Sequence, residues 1–65
     1  MTEKYFLALL KEKRRDYIEA IELFREAYEL DKNNAEPLFK LAELFLLLKD
    51  KDKALYFAEE CSRLK

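Results

Sequence analysis

The 65-residue chain has no glycine, no histidine and no tryptophan, one proline, Pro37, and one cysteine, Cys61. Each absence removes a class of chemistry. Without glycine there is no phosphate-cradling loop, because such loops need backbone that a ligand can approach unhindered by a Cβ. Without histidine the commonest metal ligand and the usual general base near neutral pH are missing. A lone cysteine closes no intrachain disulfide and offers no paired thiolate spacing for zinc. Valine and glutamine are also absent, and β-branched residues are confined to Thr2, Ile18 and Ile21, which disfavours strands. No cofactor, no metal and no catalytic residue is therefore assigned, and the chain is not expected to be an enzyme.

Long apolar runs are missing too. The six residues Tyr5 to Leu10 are fewer than a signal-peptide core needs and far fewer than the roughly 20 of a membrane-spanning helix. A cytoplasmic, reducing setting with no membrane association is the expectation. Charge of one sign is equally lacking: thirteen basic and fourteen acidic side chains leave a net charge of -1, which gives no large field to attract nucleic acid or anionic lipid.

What remains is the vocabulary of helices. The sequence is 51% hydrophobic and 42% charged, and its dominant residues, Ala, Leu, Glu, Lys and Arg, have the highest helix propensities. Apolar residues recur at intervals of three and four over about 3–14, 17–31, 35–48 and 51–64, which predicts four helices. Asp16, with Glu19 three residues on, resembles a capping box, and Asn34 and Asp50 are placed to cap the third and fourth helices. Pro37 falls in a first turn, where its missing N–H removes no internal bond. The short connections make successive helices antiparallel neighbours in one domain, residues 1–65.

A shift of 34 residues superposes Leu7 on Leu41, Ala8 on Ala42, Leu10 on Leu44, Asp16 on Asp50, Ala20 on Ala54 and Leu30 on Leu64. The chain is thus read as two units, 1–34 and 35–65. Its clearest stretch runs from Asp16 to Asp31 and carries Ala20, Phe24 and Ala27. The second unit carries Leu38, Leu41, Ala42 and Phe45, then Ala54.

This pattern resembles the tetratricopeptide repeat, whose 34-residue unit reads W-x2-L-G-x2-Y in its first helix and A-x3-F-x2-A in its second. The resemblance implies an all-α fold of two helix-turn-helix repeats forming a piece of a right-handed superhelical solenoid. Departures are specific. Lys4 and Lys11 occupy large-aromatic positions, Ala58 replaces Phe, Cys61 replaces Ala, and Arg15 and Lys49 stand where a glycine usually ends the first helix. Cys61, at a small-residue position, is expected to be buried and unreactive, the alternative being that a terminal helix leaves it partly open to an intermolecular disulfide on oxidation.

The resemblance further implies that first-helix residues line a concave surface for peptides or partner helices. Here these are Thr2, Tyr5, Phe6, Leu9, Glu12 and Lys13, followed by Glu36, Phe39, Lys40, Glu43, Leu46 and Leu47. Tyr5, Phe6, Leu9, Phe39, Lys40, Glu43, Leu46 and Leu47 are the expected partner contacts. Tyr5 and Leu9 cannot grip a carboxylate, so the acidic-tail clamp found in some family members is not expected.

The apolar residues exceed what two hairpins bury between themselves. Leu44 to Leu48 is hydrophobic around the whole helix, and the last helix presents Tyr56, Phe57, Ala58, Cys61 and Leu64 instead of a polar capping face. The expected function is a protein-interaction module or scaffold that self-associates as a homodimer or holds an amphipathic helix of another protein. Two alternatives are a stretch or adaptor of a longer repeat array, and a nucleic-acid or acidic-partner contact through the turns. The latter would use Lys11, Lys13, Arg14 and Arg15 with Lys49, Lys51 and Lys53. Interleaved Glu12, Asp16, Asp50 and Asp52 weigh against it.

Overall fold

A computed structural model describes residues 3–64; Thr2, one of the expected groove residues, lies outside them. The architecture is α1 (Glu3–Lys13), α2 (Tyr17–Leu30), α3 (Glu36–Leu47) and α4 (Lys51–Arg63), with no strand among the described residues. Helix α1 pairs with α2 and α3 with α4, while α2 against α3 joins the two hairpins. The result is a slab with Cα extents of 29 × 27 × 13 Å. So thin a body has little interior, which is why its apolar content cannot all be buried.

The two turns inside the hairpins are copies of each other. After α1, Asp16 N–H donates to the Lys11 carbonyl at 2.9 Å and Arg15 N–H to that of Glu12 at 3.0 Å. After α3, Asp50 N–H donates to the Phe45 carbonyl at 2.8 Å and Lys49 N–H to that of Leu46 at 3.0 Å. Both are Schellman motifs, which need one residue in the left-handed region. Arg15 at φ 67° and Lys49 at φ 65° take that conformation without the glycine that would adopt it freely, at roughly 1 kcal/mol or more each.

Capping differs between the repeats. The Asp50 carboxylate accepts from Lys53 N–H at 3.2 Å, whereas Asp16 makes no side-chain cap bond. The expected Asp16–Glu19 capping box is thus corrected, since the Glu19 carboxylate instead meets Lys11 of α1 at 2.9 Å. Asn34 acts from one residue outside the helix: Ala35 is the N-cap, and Asn34 Oδ1 accepts from Glu36 N–H at 3.1 Å.

The core lies where three helices meet. Tyr5 and Ala8 from α1, Ala20, Ile21, Phe24 and Ala27 from α2, and Leu38, Leu41 and Leu44 from α3 form one buried cluster. Ala8, Ala20 and Ala27 let the backbones approach, and Phe24, wholly buried, fills the space they leave, which contributes about 3 kcal/mol by area. Helix α4 joins less deeply. Ala54 is its only buried residue among those described, and its contacts with α3 include Phe57 stacked on Phe45 at 5.5 Å, with the Lys53 ammonium 5.5 Å from the Phe45 ring centre.

Because the strain sits in two equivalent turns, Arg15→Gly and Lys49→Gly should each stabilise the fold by about 0.5–1 kcal/mol, after allowing for glycine's greater freedom in the unfolded chain. Thermal unfolding followed by circular dichroism should show a rise of a few degrees for each. A fall in Tm would contradict the assigned turn geometry.

Candidate protein-binding site

The buried face of the first hairpin recurs, 34 residues later, as an open one. Tyr5, Ala8, Ala20, Ile21, Phe24 and Ala27 form the seat on which α3 rests. Their images are Phe39, Ala42, Ala54, Leu55, Ala58 and Cys61, and these line a groove of about 550 Å³ between α3 and α4, together with Glu43, Leu46 and Lys51. None of the described residues fills it. Tyr5 is 5% exposed but Phe39 is 54%; Ile21 is 8% exposed but Leu55 is 62%. The same helical pattern therefore yields a core in one repeat and an uncovered apolar surface in the next, because a helix lies over the first only.

The expected contact residues divide among several places. Phe39, Glu43 and Leu46 share the α3/α4 groove. Leu9, Lys40 and Leu47 belong to a second depression of about 450 Å³, between α1 and α3, also lined by Glu12, Lys13 and Tyr17. Phe6 is exposed outside both, with its ring edge-on to Tyr5 at 5.9 Å. Tyr5 is in the core: its ring meets Phe24 edge-on at 5.5 Å, and its hydroxyl donates to Glu36 Oε2 at 3.1 Å.

The groove's α4 wall was not among the expected partner contacts, although Ala58 and Cys61 were read as presented by the last helix. Its signal was nonetheless present, since each of its small residues is the 34-residue image of a core residue. Cys61 belongs to that wall and is only partly buried, which corrects the expectation of a buried thiol in favour of the partly open alternative; among the described residues no further helix covers α4, and the thiol points to the Ala35 carbonyl at 3.7 Å.

The charges on the groove are of both signs. Glu43 carries a loose partner, Lys40 at 3.7 Å, an exposed pair of a kind that contributes little. Lys51 makes no ion pair among the described residues. On the basic turns, Lys11 is engaged by Glu19, and Lys53 is shared between Asp50 at 3.9 Å and the Phe45 ring. No group of three or more potential metal ligands occurs among the described residues, and no described helix is long and apolar enough to cross a membrane.

Two stacked αα-hairpins with small residues at the helix crossings define the chain as a helical-repeat protein. The profile of the tetratricopeptide repeat family matches residues 9–59, so the chain belongs to that family. A search of curated proteins finds no match. The repeats of this family are protein-interaction modules and are typically non-catalytic.

Tyr5 gives the packing a titratable reporter. Its pKa is raised above the ordinary 10.0, first by burial, then by its hydrogen bond to Glu36 and by the negative charges of Glu36, Glu12 and Glu43. The folded state thus favours the neutral phenol. That stabilisation is complete below the unfolded-state value and is lost as pH rises through the folded one. Ultraviolet titration of the tyrosinate band should therefore contain a late component that Tyr5→Phe removes. A variant curve lacking only a normal component would count against the buried Tyr5–Glu36 contact.

Proposed function

We propose that the chain is a non-catalytic protein-interaction module whose contact surface is the apolar groove between α3 and α4, and that it works by burying a helix there. The observation that carries this reading is the groove's relation to the first hairpin: its walls repeat, at 34 residues, a seat that α3 occupies in the same chain. The side chains that fill the occupied seat are Leu38, Leu41 and Leu44, all buried, at the three-residue spacing of one helix face. A partner for the open seat presents apolar side chains at a similar spacing, as an amphipathic helix does.

Phe39, Glu43 and Leu46 are the central contacts of this surface, and Leu9, Lys40 and Leu47 extend it across the neighbouring depression. Phe6 can add to its rim. The driving force is removal of apolar area from water, with no bond made or broken. A cytoplasmic, reducing setting suits the single free thiol. The basic turns are the weaker candidate surface, since Lys11 and Lys53 are engaged within the chain and Glu12, Asp16, Asp50 and Asp52 interleave with the rest.

A labelled peptide spanning residues 35–49 carries the α3 sequence and serves as the probe. Fluorescence anisotropy should show saturable binding to the intact chain at concentrations low enough to leave its groove open. Phe39→Ala and Leu46→Ala should each weaken it by about 2 kcal/mol, roughly thirtyfold, with helical content unchanged because both side chains are exposed. Binding unaffected by either truncation, or no binding at all, counts against the groove as the contact surface.

A further inference from the structure

Resting on that reading, we infer that the occupant of the α3/α4 groove is the same groove of a second copy, so that the chain forms a two-fold dimer. The two helix faces that follow the pattern of the seated one are unsuited to fill it. The apolar face of α3 that could do so, Leu38, Leu41 and Leu44, is already buried in its own chain. The corresponding face of α1 is Lys4, Leu7, Leu10 and Lys11, which puts ammonium groups where α3 has Leu38 and Phe45. Lys4 is paired with Glu26 and Lys11 with Glu19 on α2. Seating α1 in the groove of another copy would strip water from both, which opposes head-to-tail growth.

The groove is complementary to itself in shape. Phe39, Leu46 and Leu55 project, each more than half exposed, while Ala58 leaves open the volume that Phe24 fills in the first seat. Helices α3 and α4 run antiparallel, with the Cys61 thiol beside the Ala35 carbonyl, so Phe39 and Ala58 lie toward one end and Leu46 and Lys51 toward the other. A two-fold axis along the groove lays α3 of one copy over α4 of the other and brings each Phe39 onto the opposite Ala58. Such an isologous contact uses every pair twice and closes on itself.

Charge follows the same symmetry. Glu43 stands on α3 and Lys51 on α4, both lining the groove. The operation that pairs the two helices brings each Glu43 to within about one helical turn, roughly 5 Å along the axis, of the other copy's Lys51, a span both long side chains can close. Lys51, which has no ion pair among the described residues, gains one in the dimer.

Sedimentation equilibrium across a concentration series tests the arrangement on the intact chain. The expected mass at high concentration is twice the 7.9 kDa of one chain. Ala58→Glu, at an exposed position, should raise the dissociation constant more than about tenfold with helical circular dichroism retained. Glu43→Lys and Lys51→Glu should each weaken the dimer by about tenfold, and the double variant should recover to within about threefold of the parent. A chain that stays monomeric throughout, a dimer indifferent to Ala58→Glu, or a double variant no better than either single one overturns the inference. A monomer that still binds the 35–49 peptide overturns the second copy alone and leaves the groove as a site for another protein; a monomer that binds neither removes both readings.

Discussion

Everything in this fold depends on α3 settling into the groove between α1 and α2. Ala8, Ala20 and Ala27 are small enough to bring three backbones together, and Phe24, at their centre, is wholly enclosed by the result. Remove the alanines and the helices stand apart; remove Phe24 and a cavity opens, a change that typically costs 3–5 kcal/mol. A domain of this size holds only a few kcal/mol of net stability, so this one contact decides whether there is a fold at all. The two strained turns at Arg15 and Lys49 are tolerated because the seat fixes the hairpin geometry that they must serve.

The same contact makes the molecule polar from end to end. A repeat that buries its neighbour's face presents an equivalent face of its own, and in a slab 13 Å thick no second layer can hide it. The α1 end answers with charge, placing Lys4 and Lys11 where the second repeat has Leu38 and Phe45 and satisfying them with Glu26 and Glu19. The α4 end does the opposite and carries Leu55, Ala58 and the partly buried Cys61. One end sets paired charges beside Leu7 and Leu10, and the other leaves an open apolar groove.

Much of this was legible from periodicity. Four helices, their short turns and the 34-residue unit follow from spacing alone, because the helical period and the repeat period are properties of local sequence. The side-chain details were less so. Asp16 and Asp50 occupy equivalent positions, yet only the Asp50 side chain caps its helix, while Glu19, at the position of Lys53, pairs with Lys11 across the hairpin. Tyr5 resembles a groove residue by position but is buried through α1, α2 and α3 together, a three-body outcome that no single helical wheel contains. The expected contact surface was drawn along first helices only, whereas half of the α3/α4 groove belongs to α4. Finding that half requires asking which core positions lose their cover at the next repeat.

That asymmetry between equivalent positions is also the most direct point of attack. Alanine methyl resonances can be followed by nuclear magnetic resonance as the chain is diluted. Ala42, Ala54 and Ala58, which line the open groove, should shift with concentration, while Ala8, Ala20 and Ala27, sealed beneath α3, should hold still. Movement of the sealed set, or invariance of the groove set across the whole range, would contradict the account of one filled seat and one that a second chain fills.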